Sequence, residues 1–153
     1  MSKISAGILV FRFRKSVLEV LLVHPGGPFW AKKDNHAWSI PKGEVESGET
    51  DFNAANREFT EETGIEIRGN FFALDPVKQS GGKTVYAWAV EKDITTEKIK
   101  SNNFEIEWPP NSGKHKSFPE VDKASWFDIE TARDKIIKGQ SNLLDQLSKK
   151  LTR

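Results

Sequence analysis

The chain has 153 residues, 23 Lys and Arg against 22 Asp and Glu, a formal charge of +1 at pH 7 and no cysteine. One domain of about 150 residues accounts for that length and buries a core without staples, the near-neutral charge argues against a nucleic-acid partner, and zero Cys excludes thiol nucleophiles, disulfides and thiolate zinc sites. The apolar runs at 8–11 and 20–23 are too short to span a membrane, and Arg12, Arg14 and Lys15 interrupt any leader after Met1-Ser2-Lys3, so a soluble, cytoplasmic, single-domain protein over 1–153 is expected.

At the start, Ile4, Ala6, Ile8 and Val10 alternate with Leu9, Phe11 and Phe13, the pattern of a strand buried on both faces. Arg14-Lys15-Ser16 reads as a turn and 17–23 as a second strand, which makes 4–23 a hairpin. His24-Pro25-Gly26-Gly27-Pro28 cannot hold regular structure, and the loop continues to 35. Trp38-Ser39-Ile40-Pro41 is extended, because proline disfavours helix at the residue before it, and 42–48 is loop again. A helix is predicted over 51–63, with Thr50 as N-cap, Asp51 in the first turn and Gly64 as the C-terminal stop. Strands follow at 71–74, 77–79 and 83–90, the last two joined by Ser80-Gly81-Gly82. Three prolines and a glycine make 108–119 a long polar loop. A short strand at 124–127 precedes helices at 129–137 and 141–151, with Gly139 between them and Leu143, Leu144, Leu147 and Leu151 at helical spacing.

The chemistry concentrates on the first helix. Glu58, Glu61 and Glu62 fall within an arc of about 100°, while Phe52, Ala55 and Phe59 take a neighbouring arc and anchor the helix. Like charges at these spacings cost a few tenths of a kcal/mol per pair, a cost that a bound cation reverses. Mg2+, with Mn2+ as a substitute, is the candidate, since hard ions take oxygen ligands and there is neither Cys nor paired His to suit zinc. A solvated acidic face would carry the same triplet. The triplet is embedded, however, in a longer spacing: Gly43, five residues, Glu49, seven residues, Arg57-Glu58-Phe59, one residue, Glu61-Glu62, one residue, Gly64-Ile65. Chance supplies such a match with probability on the order of 10⁻⁸ to 10⁻⁹.

Residues 43–65 resemble the Nudix box, with every fixed position filled and apolar Phe59 and Ile65 in place; the order of strands, helix, hairpin and C-terminal helix resembles the rest of a Nudix domain. The resemblance implies an α/β fold, an α/β/α sandwich with a mixed sheet and a catalytic loop–helix–loop, and Mg-dependent hydrolysis of a nucleoside diphosphate linked to another moiety. It implies Glu58, Glu61 and Glu62 as catalytic, metal-binding carboxylates, with Glu58 also helping to activate water, and the carbonyl of Lys42 as a further ligand. Arg57 and Glu49 would support them, and Gly43 and Gly64 would allow tight turns.

Glu120, in Phe118-Pro119-Glu120-Val121, resembles the loop glutamate of the diadenosine tetraphosphate hydrolase branch, an additional catalytic and metal-binding acid; Glu105 and Glu107 are its rivals. The stretch 38–43 and Lys83-Thr84-Val85-Tyr86-Ala87-Trp88 resemble the same branch, in which a strand lysine faces polyphosphate and a tyrosine holds a base. In the branch that tyrosine directly precedes the tryptophan, where Ala87 stands here, and an offset of one residue on a strand changes face. Lys83, Tyr86, Trp38 and Lys33 are the candidate substrate contacts. Phe29, Trp30 and Lys32 share the loop with Lys33, and Lys114, His115 and Lys116 form a candidate basic flap. His24 and His36 have no motif around them and read as structural. The expected partner is therefore a small nucleoside polyphosphate, for a monomer or homodimer of the diadenosine tetraphosphate hydrolase or MutT-like kind. The alternatives are a nucleoside triphosphate or nucleotide-sugar pyrophosphatase and, in another class, a catalytically silent ligand-binding or interaction domain.

Overall fold

Alternating apolar residues let one strand serve two core layers. In the computed structural model, which describes residues 3–151, β1 (Ile4–Arg14) turns Ala6, Ile8 and Val10 toward one layer and Leu9 and Phe11 toward the other. It forms a hairpin with β2 (Val17–Pro25) in antiparallel register from Phe11 opposite Val20 to Arg14 opposite Val17. Below that register the two strands part. The first half of β1 pairs instead with β3 (Lys42–Glu44), Gly7 opposite Lys42, and β2 pairs with β9 (Val121–Asp128). The expected loop at 42–48 thus begins as a strand, because β1 has a free edge at this point for its backbone groups to pair with. At Gly7 a Cβ would lie 2.6 Å from the Pro41 carbonyl oxygen, so this crossing needs a glycine.

On the other side of β1 runs β6 (Lys83–Glu91), parallel, which carries β4 (Phe72–Ala73) and β5 (Val77–Gln79) on its outer edge. Among the described residues seven strands make one mixed sheet. Helix α1 (Asp51–Thr63) covers one face through Ala54, Ala55 and Phe59; α2 (Ile129–Lys135) and α3 (Ser141–Leu151) cover the other through Ala132, Leu143, Leu144 and Leu147. This is an α/β/α sandwich.

The largest departure from the expected elements lies at 103–119. In place of a long loop, β7 (Asn103–Glu107) and β8 (His115–Pro119) form a two-stranded antiparallel sheet, Phe104 opposite Phe118 and Glu107 opposite His115, leaving only 108–114 as loop. The sequence of β8, His-Lys-Ser-Phe-Pro, has no apolar alternation. It becomes a strand by backbone pairing to β7, which pattern reading does not register.

Candidate active site

The site is built where β1 and β2 part. Helix α1 is well capped: the Thr50 hydroxyl accepts the Asn53 N–H at 3.1 Å, and Gly64, at φ 74°, donates its N–H to the Thr60 carbonyl at 2.7 Å. Its acidic face is organised by Arg57. The guanidinium donates to both Glu49 oxygens at 2.8 Å, to Glu58 at 2.8 Å, to Glu61 at 3.0 Å and to the Glu44 carbonyl at 3.0 Å. One planar fork therefore ties the loop before the helix to two of the three acids. The Glu49 carboxyl is held down to about 2 by its bonds to Arg57, and Arg57 is held firmly cationic by the same bonds.

The remaining acids are pushed the other way. Burial raises Glu58 to about 7, aided by the charge of Glu61, and raises Glu62 to about 8, where the Lys42 N–H at 3.2 Å opposes the effect and Glu58 and Glu120 add to it. Gly43 faces this cluster: a Cβ there would stand 1.9 Å from a Glu58 carboxylate oxygen. The glycine is required because that volume belongs to Glu58. The Lys42 amine is shifted down by burial, with Lys83 also contributing.

Glu120 reaches the cluster from the residue before β9, beside the turn that follows β2. The β2–β9 register shifts between His24 and Pro25, and Glu120 is pinned on both sides, its carbonyl accepting from Gly26 N at 2.9 Å and its N–H donating to the Asn102 carbonyl at 2.8 Å. Burial and the charge of Glu61 raise its carboxyl. The rivals Glu105 and Glu107 point away, exposed on β7, with Glu107 accepting from Asn111 N.

Two clefts meet over the acids. The larger, about 890 Å³, includes Phe29, Trp30, Gly43, Glu58, Phe104 and Ile106 in its walls. The smaller, about 450 Å³, includes His36, Ser39, Gln79, Ser80, Lys83 and Ile137. Pro25, Trp30, Lys42, Glu62 and Glu120 line both.

The expected substrate contacts divide. Lys83 lines the smaller cleft. Trp38 is corrected to a core residue: it is 5% exposed, its indole N–H donates to Asp34 at 2.8 Å, and its ring packs edge-on against His24 and Phe127. Tyr86 lines neither cleft; Val85, Ala87 and Ala89 face the layer under α3, so Tyr86, one residue out of step, faces the α1 side. The Lys33 side chain lines neither cleft and lies over the Trp30 ring, 5.0 Å from its centre. Phe29 lines the larger cleft and Trp30 lines both. Lys114, His115 and Lys116 are exposed at the outer end of the hairpin and border neither cleft. His24 is structural, fully buried, with its ring nitrogens on Asp122 at 2.9 Å and the Lys33 carbonyl at 2.6 Å. It joins the loop carrying Trp30 to the strand that begins after Glu120. His36 is bonded to the Ile136 carbonyl, on the wall of the smaller cleft.

Among the described residues no three His, Asp or Glu side chains are gathered tightly enough to enclose a metal ion as they stand. Glu58 and Glu61 each give one oxygen to Arg57, and Glu62 gives one to Lys42 N, which leaves the second oxygen of each. The donor chemistry is all oxygen and suits a hard divalent cation. Burial lifts the Glu58 and Glu62 carboxyls to about 7 and 8 against the opposing charges of Arg57 and Lys42.

The NUDIX domain family matches residues 1–147 of this chain. The asymmetrical bis(5'-nucleosyl)-tetraphosphatase of Mus musculus is 31% identical over 140 residues, covering 84% of this chain and 80% of that protein. An 8-oxo-(d)GTP phosphatase of Mycolicibacterium smegmatis is 34% identical over 102 residues, 65% of this chain and 26% of its own length. Among solved structures, a C. elegans Ap4A hydrolase binary complex superposes with TM-score 0.66 at 23% identity, over 97% of both chains. The NUDIX domain of Shewanella oneidensis NrtR, complexed with ADP ribose, does so with TM-score 0.66 at 16% identity, over 99% of this chain and 90% of that one. Fold, box and matched family agree, and the chain belongs to the Nudix family of pyrophosphohydrolases. Within the family it is most like the Ap4A hydrolase and MutT-like branch.

Proposed function

We propose that the protein hydrolyses a phosphoanhydride bond in a dinucleoside polyphosphate, with diadenosine tetraphosphate giving ATP and AMP. The observation that carries this is the pair of clefts that share Lys42, Glu62 and Glu120: a substrate with a moiety at each end of a phosphate chain has a place on either side of the acids. The likeness to the mouse tetraphosphatase supports the same substrate. Glu58, Glu61, Glu62, Glu120 and the Lys42 carbonyl would hold Mg2+, or Mn2+ in its place. When bound, such an ion neutralises phosphate charge and lowers the pKa of water toward neutrality.

The chain's own groups do the rest. Glu58, which burial raises to about 7, is the proton acceptor best matched to neutral pH, a role worth typically 10² to 10⁴ in rate. Arg57 positions Glu58 and Glu61, and Lys83 contacts phosphate in the smaller cleft. We take residues 1–153 to act as one Nudix domain in the cytoplasm, as a monomer or homodimer.

The test is hydrolysis of diadenosine tetraphosphate with Mg2+ in ¹⁸O-water, with products identified by mass. ATP plus AMP is expected, and the label reports the phosphorus attacked. No turnover, alongside activity on nucleoside triphosphates or nucleotide sugars, would overturn the substrate and keep the chemistry. Inactivity on all of them would leave a ligand-binding domain.

A further inference from the structure

The larger cleft contains apolar surface that phosphate chemistry does not use. Along β7 the side chains alternate: Asn103, Glu105 and Glu107 are exposed, whereas Phe104 and Ile106 turn to the opposite face, half-buried, and line the cleft together with Phe29 and Trp30. Among the described residues the β7–β8 sheet pairs with no strand of the main sheet. It is held against the turn after β2, where a Cβ on Gly27 would come within 2.9 Å of the Phe104 ring. Phe29 meets Trp108 edge to face, with ring centres 5.5 Å apart, yet is 62% exposed. Such a ring at the rim of a cleft keeps a large apolar face available for a ligand.

Resting on the reading of this site as one for nucleoside polyphosphates, we propose that Phe29, Trp30, Phe104 and Ile106 form a nucleobase subsite. The occupant follows from how the cleft is divided. One part of its lining is the aromatic and aliphatic group Phe29, Trp30, Phe104 and Ile106, and the rest carries Lys42 and acids that include Glu58, Glu62 and Glu120; a nucleotide is divided in the same way, into a flat π-face and a phosphate chain. The smaller cleft brings Ser39, Gln79, Ser80 and Lys83 together beside Val23, Ala37 and Ile137, and offers in Lys83 a cation for phosphate. The aromatic group at one end and Lys83 at the other give the substrate a direction: one base lies against the β7–β8 hairpin, and the phosphates pass Glu120 toward Lys83. Contact with base faces discriminates weakly between bases, because every base has a π-face.

The test is isothermal titration of the full chain, with Mg2+ present, by ATP and separately by inorganic tripolyphosphate, which has the phosphates without the base. Phe29→Ala alters an exposed residue, Phe104→Leu keeps volume without the ring, and Phe104→Tyr restores a ring. Stacking on an aromatic side chain is worth about fivefold to 150-fold in affinity. Phe29→Ala and Phe104→Leu are expected to weaken ATP by at least about fivefold while tripolyphosphate moves by less than about twofold, with Phe104→Tyr recovering most of the ATP loss. In turnover of a dinucleotide the loss falls in KM rather than kcat. Equal weakening of ATP and tripolyphosphate, ATP affinity that does not respond to either variant, or no ATP binding by the parent protein overturns the subsite. Failure of the parent protein to hydrolyse diadenosine tetraphosphate, with the base-dependent losses intact, removes that substrate and retains the subsite.

Discussion

Gly43 is the residue whose chemistry is most exposed to a single added atom. A methyl at that position would overlap a Glu58 carboxylate oxygen, 1.9 Å away. Glu58 is the flexible end of a helical side chain, so the fold survives and the carboxylate moves off Arg57. Gly43→Ala is expected to keep the parent far-UV circular dichroism and to lower kcat by about 10²-fold, the scale of a 1 Å misplacement at a reacting centre. Near-parent turnover would show that Glu58 need not stand where it does. The same scale shows what pattern reading could reach. The box acids and Arg57 were legible because their spacing is itself the signal. Trp38 and Tyr86 were not, because whether an aromatic side chain meets solvent or core depends on neighbours such as Phe127, roughly ninety residues on.

Helix α1 was legible to its ends, since its caps are local. Thr50 bonds only three residues ahead, and Gly64 takes a left-handed φ. Thr50→Ala is expected to cost about 1 kcal/mol, a fall of roughly 2–4 °C in melting temperature for a domain of this size. A thermal melt at neutral pH measures it; an unmoved midpoint would mean that tertiary packing alone fixes the helix start. The β7–β8 hairpin is the opposite case. One of its strands is polar, its partner lies across a turn, and its cleft-facing stripe is only Phe104 and Ile106.

Across the whole molecule the acids set a dependence of stability on pH. Glu58 and Glu62 bind protons more tightly in the folded chain, at about 7 and about 8, than at their ordinary 4.5. Between those limits the folded state carries more protons, so stability falls as pH rises from about 4.5 to about 8. Glu49, held at about 2, acts in the other direction and below that window. In a chelator, the melting temperature is therefore expected to decline from pH 5 to pH 8. Saturating Mg2+ at 100 times its Kd should add about 2.7 kcal/mol, or roughly 5–10 °C. Glu62→Gln should raise the chelator midpoint at pH 8, flatten its decline and lose much of the Mg2+ shift. A midpoint that climbs with pH in chelator would overturn the raised carboxyls, and a mutant that responds to Mg2+ like the parent would remove Glu62 from the cation site.

By itself the sequence determined the elements whose causes are local: the two-faced strand β1, the capped helix α1, the leucine stripe of α3, and the spacing that places Glu58, Glu61 and Glu62 on one arc. Only the tertiary structure decided what surrounds them. The parting of β1 from β2, the pairing of β9 with β2 that brings Glu120 beside Gly26, the burial that raises Glu58 and Glu62, and the aromatic wall of Phe29 and Phe104 all join residues tens of positions apart. Burial and charge coupling are properties of neighbourhoods, and a neighbourhood exists only once the chain has closed on itself.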